Sequence, residues 1–214
     1  MMENKAINKD LYLRNIMRLE RSKVENEGTP EGYLTGKLLV SMPFLEDSRF
    51  SYSVIFVCGH DSQGAIGLVI NKILPDLTFK DLLKQLNIDH MPSSSDLIVH
   101  YGGPIDLSRG FVLHSSDYHI DTTIEVDDCF SITSTLEILR ALARGTGPEK
   151  YLICLGYTGW SAGQLEQELQ NNGWLVVEPT EELVFNPYLE TKWRSSLAAL
   201  GVDPAVLSLE SGHA

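Results

Sequence analysis

Short apolar segments bounded by polar turns recur along most of this chain, and they predict buried strands. Residues 36–40, 53–58 and 66–70 are rich in branched apolar side chains and end at Gly, Pro or polar clusters, a pattern typical of strands inside a core. The turn-forming residues 59–64 between the last two suit a hairpin. Further strands are predicted at 97–101, 111–114, 124–132, 151–155 and 174–177.

Helical signals separate several of these strands. Thr78 and Asp81 are spaced as a capping box before an apolar stripe of helical period, and Ser134 with Glu137 starts a second helix in the same way. Two further helices are predicted near 191–200 and at Asp203-Pro204. Because strands outnumber helices and come in groups of two or three, we expect an α+β fold with a mostly antiparallel or mixed sheet.

The first 31 residues differ from the rest of the chain. Residues 1–24 carry apolar side chains at helical spacing beside a basic flank, and residues 25–32 have no apolar content. A solvated or loosely docked helix is one interpretation, and an organelle-targeting or partner-binding helix is the alternative. We predict an N-terminal helical extension and linker over residues 1–31 and a single domain over 32–214.

Composition and charge restrict the class of protein. The 214 residues are 43% apolar and 21% charged, and no run approaches the roughly 18 apolar residues of a membrane-spanning helix. The N-terminus also lacks the apolar core of a signal peptide, so we expect a cytoplasmic protein that is not attached to a membrane. The net charge of −12 lies entirely in residues 32–214, which makes direct DNA binding by this acidic body unfavourable.

Motifs for cofactors and metals are absent from the sequence. It contains no Walker-type phosphate loop, dinucleotide fingerprint or paired C-x-x-C, so no cofactor and no metal are predicted. Cys58, Cys129 and Cys154 lie in strand-like apolar runs and are expected to be buried, reduced thiols. His60 and His114 lie at predicted strand ends, where each is either a general base or a hydrogen-bonded structural histidine.

The run at residues 155–166 combines three glycines with two aromatic residues. It follows a predicted strand and is expected to turn into a helix that begins at Ser161, with Gln164 in the reciprocal capping position. Tyr157 and Trp160 would either stack on a planar ligand or line a partner groove. The alternative is that Trp160 packs the helix against the sheet while the glycines prevent clashes.

A glycine pair with Arg109, and Asn71, also lie beside the ends of predicted apolar strands. Gly102 and Gly103 permit the close approach of a backbone or ligand, and Arg109 would place a guanidinium over that opening. The alternative is a tight turn in which Arg109 ties two loops together. Asn71 ends another apolar strand, where its amide either caps an exposed chain end or holds the neighbouring loop.

Several segments together, in their order along the chain, are specific enough to indicate a protein family. These segments are residues 36–43, 64–71, 102–104, 109–114 and 155–166, together with His60 and Trp174. They run through most of residues 32–214 and resemble the YqgE/AlgH family of bacterial proteins, whose members are uncharacterised or assigned as transcriptional regulators. The resemblance implies an α+β fold with a strongly bent or bifurcated sheet, mixed or antiparallel, that forms a partly closed barrel with flanking helices. It implies no established activity.

The leading hypothesis is therefore a cytoplasmic, non-catalytic binding or regulatory protein, and the transcriptional role is implied by the resemblance alone. A peptide segment of an unidentified protein, or a small ligand, would bind in one cleft. The alternative is a hydrolase or transferase with His60 or His114 as general base. The residues expected to line the cleft are Asn71, Gly102, Gly103, Arg109, Tyr157, Trp160 and Gln164.

Overall fold

The computed structural model describes residues 32–89 and 97–207, so the predicted extension over residues 1–31 lies outside the described residues. The strands are β1 Leu38–Ser41, β2 Val54–Asp61, β3 Gly64–Val69, β4 Ile73–Thr78, β5 Ile98–Tyr101, β6 Ile105–Ser115, β7 Ile124–Glu125, β8 Phe130–Thr133, β9 Tyr151–Ser161 and β10 Trp174–Val177. The helices are α1 Phe79–Gln85, α2 Leu136–Ala143, α3 Gln164–Gln170, α4 Glu181–Phe185, α5 Leu189–Ala199 and α6 Pro204–Leu207, with a short 3-10 helix at Ser48–Phe50.

The strands form one strongly curled sheet in the order β10-β1-β2-β3-β9-β6-β8-β7. All neighbours on this path are antiparallel, whereas β5 joins β9 in parallel and carries β4 on its other edge. The sheet curls into a half-barrel with helices packed around it. The predicted α+β fold with a bent, bifurcated sheet is therefore confirmed.

Strand β9 joins the two parts of the sheet. Its residues 153–155 pair with β5 on one edge and with β6 on the other. Beyond this point, residues 158–161 pair with β3 instead of β5. Because β5 and β3 follow one another along the same edge of β9, the sheet divides at Gly156 and Tyr157.

The connection from β5 to β6 must cross β9, because these two strands lie on its opposite edges. Gly102 donates its N–H to the Leu155 carbonyl at 2.8 Å and accepts from the Val69 N–H at 2.8 Å. A Cβ atom on Gly102 would lie 2.3 Å from the Gly156 oxygen, and one on Gly103 would lie 2.2 Å from the Tyr157 carbonyl carbon. Only glycine permits such an approach between two backbones.

Helices cover the sheet on both sides. Helices α1 and α2 pack on the β5–β9–β6 part, where Phe79, Leu83 and Ile138 are fully buried. Helices α4 and α5 contribute Val184 and Leu197 to the larger core inside the half-barrel. Helix α3 packs through Leu165 against the part of the sheet near β3. No helix among residues 32–89 and 97–207 is long and apolar enough to cross a membrane.

The glycine-rich run is largely strand, which corrects the prediction of a turn into a helix at Ser161. Pairing with β3 holds residues 158–161 extended, and α3 begins only at Gln164, after Gly163 in a left-handed conformation. One half of the predicted capping interaction is present, because the Ser161 N–H donates to Gln164 Oε1 at 3.0 Å. The Ser161 side chain itself does not cap the helix.

Residues 124–132 are a hairpin and not one strand. Asp127 Oδ1 accepts from the backbone N–H groups of Cys129 and Phe130 at 2.8 Å each and forms the turn between β7 and β8. This turn leaves Cys129 exposed, so the prediction of a buried thiol is wrong for Cys129. It is confirmed for Cys58 and Cys154, which are buried and reduced.

We expect Gly103→Ala to destabilise the protein by about 3 kcal/mol or more, because the new methyl group overlaps the β9 backbone and has no room to move. Urea denaturation followed by circular dichroism would measure this. Gly110→Ala is the matched control, since its Cβ would approach no atom closer than 3.7 Å. Equal stability of the two variants would contradict the crossing as a packing constraint.

Candidate functional site

The seven residues predicted to line a cleft are spread over the end of β3, the strand crossing that lies beside it, and the β9–α3 junction. Asn71 lies beside the start of β2, the glycine pair and Tyr157 form the strand crossing with Arg109 nearby, and Trp160 and Gln164 lie at the β9–α3 junction. None of the seven lines either of the two cavities described below. Their role in binding remains a prediction, and their contacts show what each does in the fold.

Asn71 connects the end of β3 to the start of β2. Its Oδ1 accepts from the Val54 N–H and its Nδ2 donates to the Tyr52 carbonyl, both at 2.8 Å. These bonds hold Tyr52, which has a left-handed backbone with φ of 54°. The Asn71 amide therefore holds a neighbouring loop, which was one of the two interpretations of this position.

Gly102, Gly103 and Tyr157 are buried at the crossing, where backbone atoms occupy the space that a ligand would need. The Tyr157 ring meets the Phe111 ring edge-on, with the centroids 5.9 Å apart. The Arg109 guanidinium carbon lies 5.3 Å from the same Phe111 ring, and partial burial lowers the pKa of Arg109. The side chains of Arg109, Phe111 and Tyr157 thus form one contact cluster.

Trp160 and Gln164 are brought together by Glu168, a residue that sequence reasoning missed. Glu168 Oε2 accepts from the Trp160 indole at 2.9 Å and from the Trp174 indole at 2.7 Å. Glu168 Oε1 accepts from Gln164 Nε2 at 2.9 Å. The spacing of Gln164 and Glu168, one helical turn apart, was the available signal. This network locks α3 to β9 and β10.

His60 is engaged at both ring nitrogens. Nδ1 accepts from the Leu34 N–H at 3.1 Å, so the proton is on Nε2, which donates to Glu166 Oε1 at 3.0 Å. The side chain has no exposed surface, and Tyr33 packs edge-on at 5.0 Å. A general base needs a free nitrogen that faces a substrate, and His60 offers none.

His114 is similarly enclosed. Its Nδ1 lies 2.8 Å from the Ser115 carbonyl oxygen, to which it donates, and its Nε2 lies 3.0 Å from Thr133 Oγ1. Burial lowers the pKa of His114, and it lowers the pKa of His100 to about 4. The described residues contain no group of three or more His, Cys, Asp or Glu placed to hold a metal ion.

A groove opens between α1 and α2 above strands β6 and β9. Its volume is 110 Å³. Four leucines form the two helical walls, Gly110 and Ile153 belong to the floor, and hydroxyl groups stand at the end where β8 leads into α2. The lining residues are Leu82, Leu86, Ser108, Gly110, Phe111, Val112, Thr133, Ser134, Thr135, Leu136, Leu139, Ile153 and Leu155.

A second cavity of 270 Å³ is polar and lies near the start of β9. Lys150 in its wall pairs with Glu181 at 2.5 Å. Asp117 accepts from the Glu149 N–H at 3.0 Å and from the Ser115 hydroxyl. These groups satisfy one another, and Ser116, Asp128, Cys129 and Glu149 complete the wall.

Comparison with known proteins identifies a single family. Residues 38–205 match the model of the AlgH-like family. A UPF0301 protein of Rhodospirillum rubrum is 47% identical over 184 residues, which cover 86% of this chain and 96% of that relative. A UPF0301 protein of Cereibacter sphaeroides is 49% identical over 182 residues, covering 85% of this chain and 99% of its own length.

Solved structures share the same fold. The solution structure of the AlgH protein from Pseudomonas aeruginosa is similar with a TM-score of 0.70 and 38% identity, covering 89% of this chain and all of that one. A crystal structure of a protein from Corynebacterium diphtheriae gives a TM-score of 0.64 at 18% identity, covering 89% of this chain and 96% of the other. This second similarity concerns the fold alone.

We expect Glu168→Ala to cost about 2 to 3 kcal/mol of stability, because two buried indole N–H groups lose their acceptor. Glu168→Gln keeps one carbonyl acceptor and should cost less. Thermal unfolding monitored by tryptophan fluorescence would report both. Glu178→Ala is the control, since Glu178 forms an exposed pair with Lys37. A Glu168→Ala variant as stable as this control would refute the network.

Proposed function

This chain belongs to the AlgH-like family, and from that premise we propose that it is a non-catalytic, cytoplasmic regulatory protein that binds a peptide segment of a partner protein. The groove between α1 and α2 is the site of binding in this proposal. The observation that carries it is an apolar depression whose lining also includes serine and threonine residues. Binding sites commonly combine apolar walls with a few placed polar groups.

The size of the groove favours one anchoring side chain. Its 110 Å³ is close to the roughly 150 Å³ of an apolar cavity that holds benzene, so it accommodates a single leucine- or phenylalanine-sized group. Leu136 at the rim is 42% exposed. An apolar side chain inserted between the helices would cover Leu136 and extend the existing core.

The polar end of the groove supports a peptide as the occupant. Ser108, Ser134 and Thr135 line the groove with hydroxyl groups that are not fully buried. Ser108 donates to Asp106 at 2.6 Å and Thr135 Oγ1 lies 3.3 Å from Thr122 Oγ1, so a peptide would share the hydroxyl oxygens of these two residues. Gly110 has no side chain to block the approach of another backbone. A peptide presents N–H and carbonyl groups on either side of its anchoring side chain, which hydroxyl groups satisfy as donors and as acceptors. This pairing suits a peptide better than a purely apolar small molecule.

The occupied histidines argue against the alternative of a hydrolase or transferase. The ring nitrogens of His60 and His114 are hydrogen-bonded to groups within the protein, and both side chains are buried. The acidic body argues against a regulator that binds DNA directly, since its field repels phosphates. A regulatory effect would then pass through a protein partner.

Leu136→Asp should weaken peptide binding at least about tenfold, because a carboxylate at the rim must be desolvated when an apolar anchor enters. Peptides selected from a random displayed library against the intact chain would serve as probes, with affinities from fluorescence polarisation. The fold should survive, since an acidic residue is favourable in the first turn of a helix. Leu200→Asp is the matched control, because Leu200 is also 42% exposed but lies at the end of α5.

Several results would contradict the proposed peptide-binding function. Peptides that bind Leu136→Asp and the unaltered chain equally would place the binding site elsewhere. Salt-sensitive DNA retention, or turnover of ester or phosphoester substrates that His114→Ala abolishes, would replace the proposal with one of the rival functions.

A further inference from the structure

The amine of Lys192 lies inside the half-barrel. Lys192 is on α5 and is only 1% exposed. Its Nζ donates to the Val184 carbonyl oxygen of α4 at 2.5 Å. Within the described part of the chain, no carboxylate lies within 4.0 Å of this nitrogen. A buried lysine normally has a charged partner, because an unpaired ammonium loses its hydration without compensation.

The titratable groups near Lys192 do not provide a counter-charge. On β5, His100 has a pKa of about 4, because burial and the nearby Lys192 disfavour its charged form. On β9, burial raises the pKa of the Cys154 thiol to about 12. Both are neutral near pH 7. The other titratable residues on α5 and on the elements packed against it are Cys58, His60, Asp61, Glu181, Glu182, Glu190 and Arg194.

None of these remaining groups neutralises the ammonium either. Burial holds the pKa of the Cys58 thiol well above its usual range, so it is uncharged. Glu181 pairs with Lys150, and His60 pairs with Glu166. Glu182, Glu190 and Arg194 are exposed. Asp61 accepts from the Gln63 N–H at 2.6 Å. The ammonium of Lys192 is therefore a cost to the closed structure.

We propose that residues 181–199, the α4–α5 arm, form a releasable cap on the half-barrel because of Lys192. The arm opens as a unit while the sheet stays folded, and it opens less readily as the pH rises. The arm covers the open side of the barrel through Val184, Trp193 and Leu197. Trp193 also donates its indole N–H to the Ser41 carbonyl at 2.9 Å. Release would expose the apolar inner face of β1 and β2.

The sign of the pH dependence follows from the protonation of Lys192 in the two states. Burial lowers its pKa from 10.5 to about 8 when the arm is closed, and solvation restores the usual value when the arm is open. Between these values the open state binds more protons, so opening is favoured at lower pH. The titration of Lys192 alone should therefore lower the opening constant about tenfold from pH 7 to pH 9.

Cys154 opposes part of this change. When the arm opens and water reaches the thiol, its pKa returns from about 12 toward 9.0, which favours opening about twofold at pH 9. The Cys58 thiol on β2, whose pKa burial also raises, would be uncovered by the same opening and adds a similar twofold effect at pH 9. The net expectation is a decrease of about two- to threefold in the opening constant from pH 7 to pH 9.

Native-state hydrogen exchange of the full chain at pH 7 and pH 9, corrected for intrinsic rates, tests this directly. Arm amides should exchange faster than those of β9 at pH 7 and gain about two- to threefold protection at pH 9. In Lys192→Met the arm should be protected at least about tenfold better at pH 7, and the gain with pH should vanish. Arg194→Met removes an exposed charge from the same helix and should behave like the unaltered chain.

Three results would overturn the proposal. Arm amides that exchange only together with those of β9 would show that the arm does not open separately. A gain in protection that persists in Lys192→Met would assign the pH dependence to another group. Arm protection in the unaltered chain that does not change from pH 7 to pH 9 would overturn the proposal without recourse to any variant.

Discussion

The fold depends on the contact between two backbones where residues 102–104 cross strand β9. This crossing places β5 and β6 on opposite edges of β9, and it occurs where the sheet divides between β5 and β3. A side chain on Gly102 or Gly103 would separate the two chains by more than their hydrogen bonds can span. The curl of the half-barrel, the groove beside β6 and the core covered by α5 all follow from this contact.

The sequence predicts much of this fold because strands and amphipathic helices are encoded locally, in the period of their apolar residues. The crossing is encoded by residues more than fifty positions apart, so local patterns show only that Gly102 and Gly156 are glycines. The sequence leaves open whether a backbone or a ligand approaches these glycines, and in the structure a backbone takes that place. The extent of β9 was misjudged for the same reason, because pairing with β3 decides it.

The candidate site could be predicted only in part, because a residue type does not specify its partner. Trp160 and Gln164 lie near one another, and Glu168 occupies their polar groups. For His60 and His114 the sequence leaves a general base and a structural histidine open, and their hydrogen bonds favour the structural role. The groove was not foreseen, since the apolar faces of α1 and α2 predict that both helices pack on a sheet and not that a gap remains between them.

The hydrogen bonding of buried polar groups differs between a rigid part of the molecule and a less stable part. Around β9, the buried rings of His60, His114 and Trp160 each have hydrogen-bond partners, and satisfied networks of this kind make a structure rigid. On α5, Lys192 retains a charge that only a carbonyl oxygen contacts. Because an apolar residue would be more stable at that position, stability alone does not explain the lysine. The proposed peptide binding and the proposed release of the α4–α5 arm both make use of this division, since a stable sheet would hold the groove while one segment is free to respond.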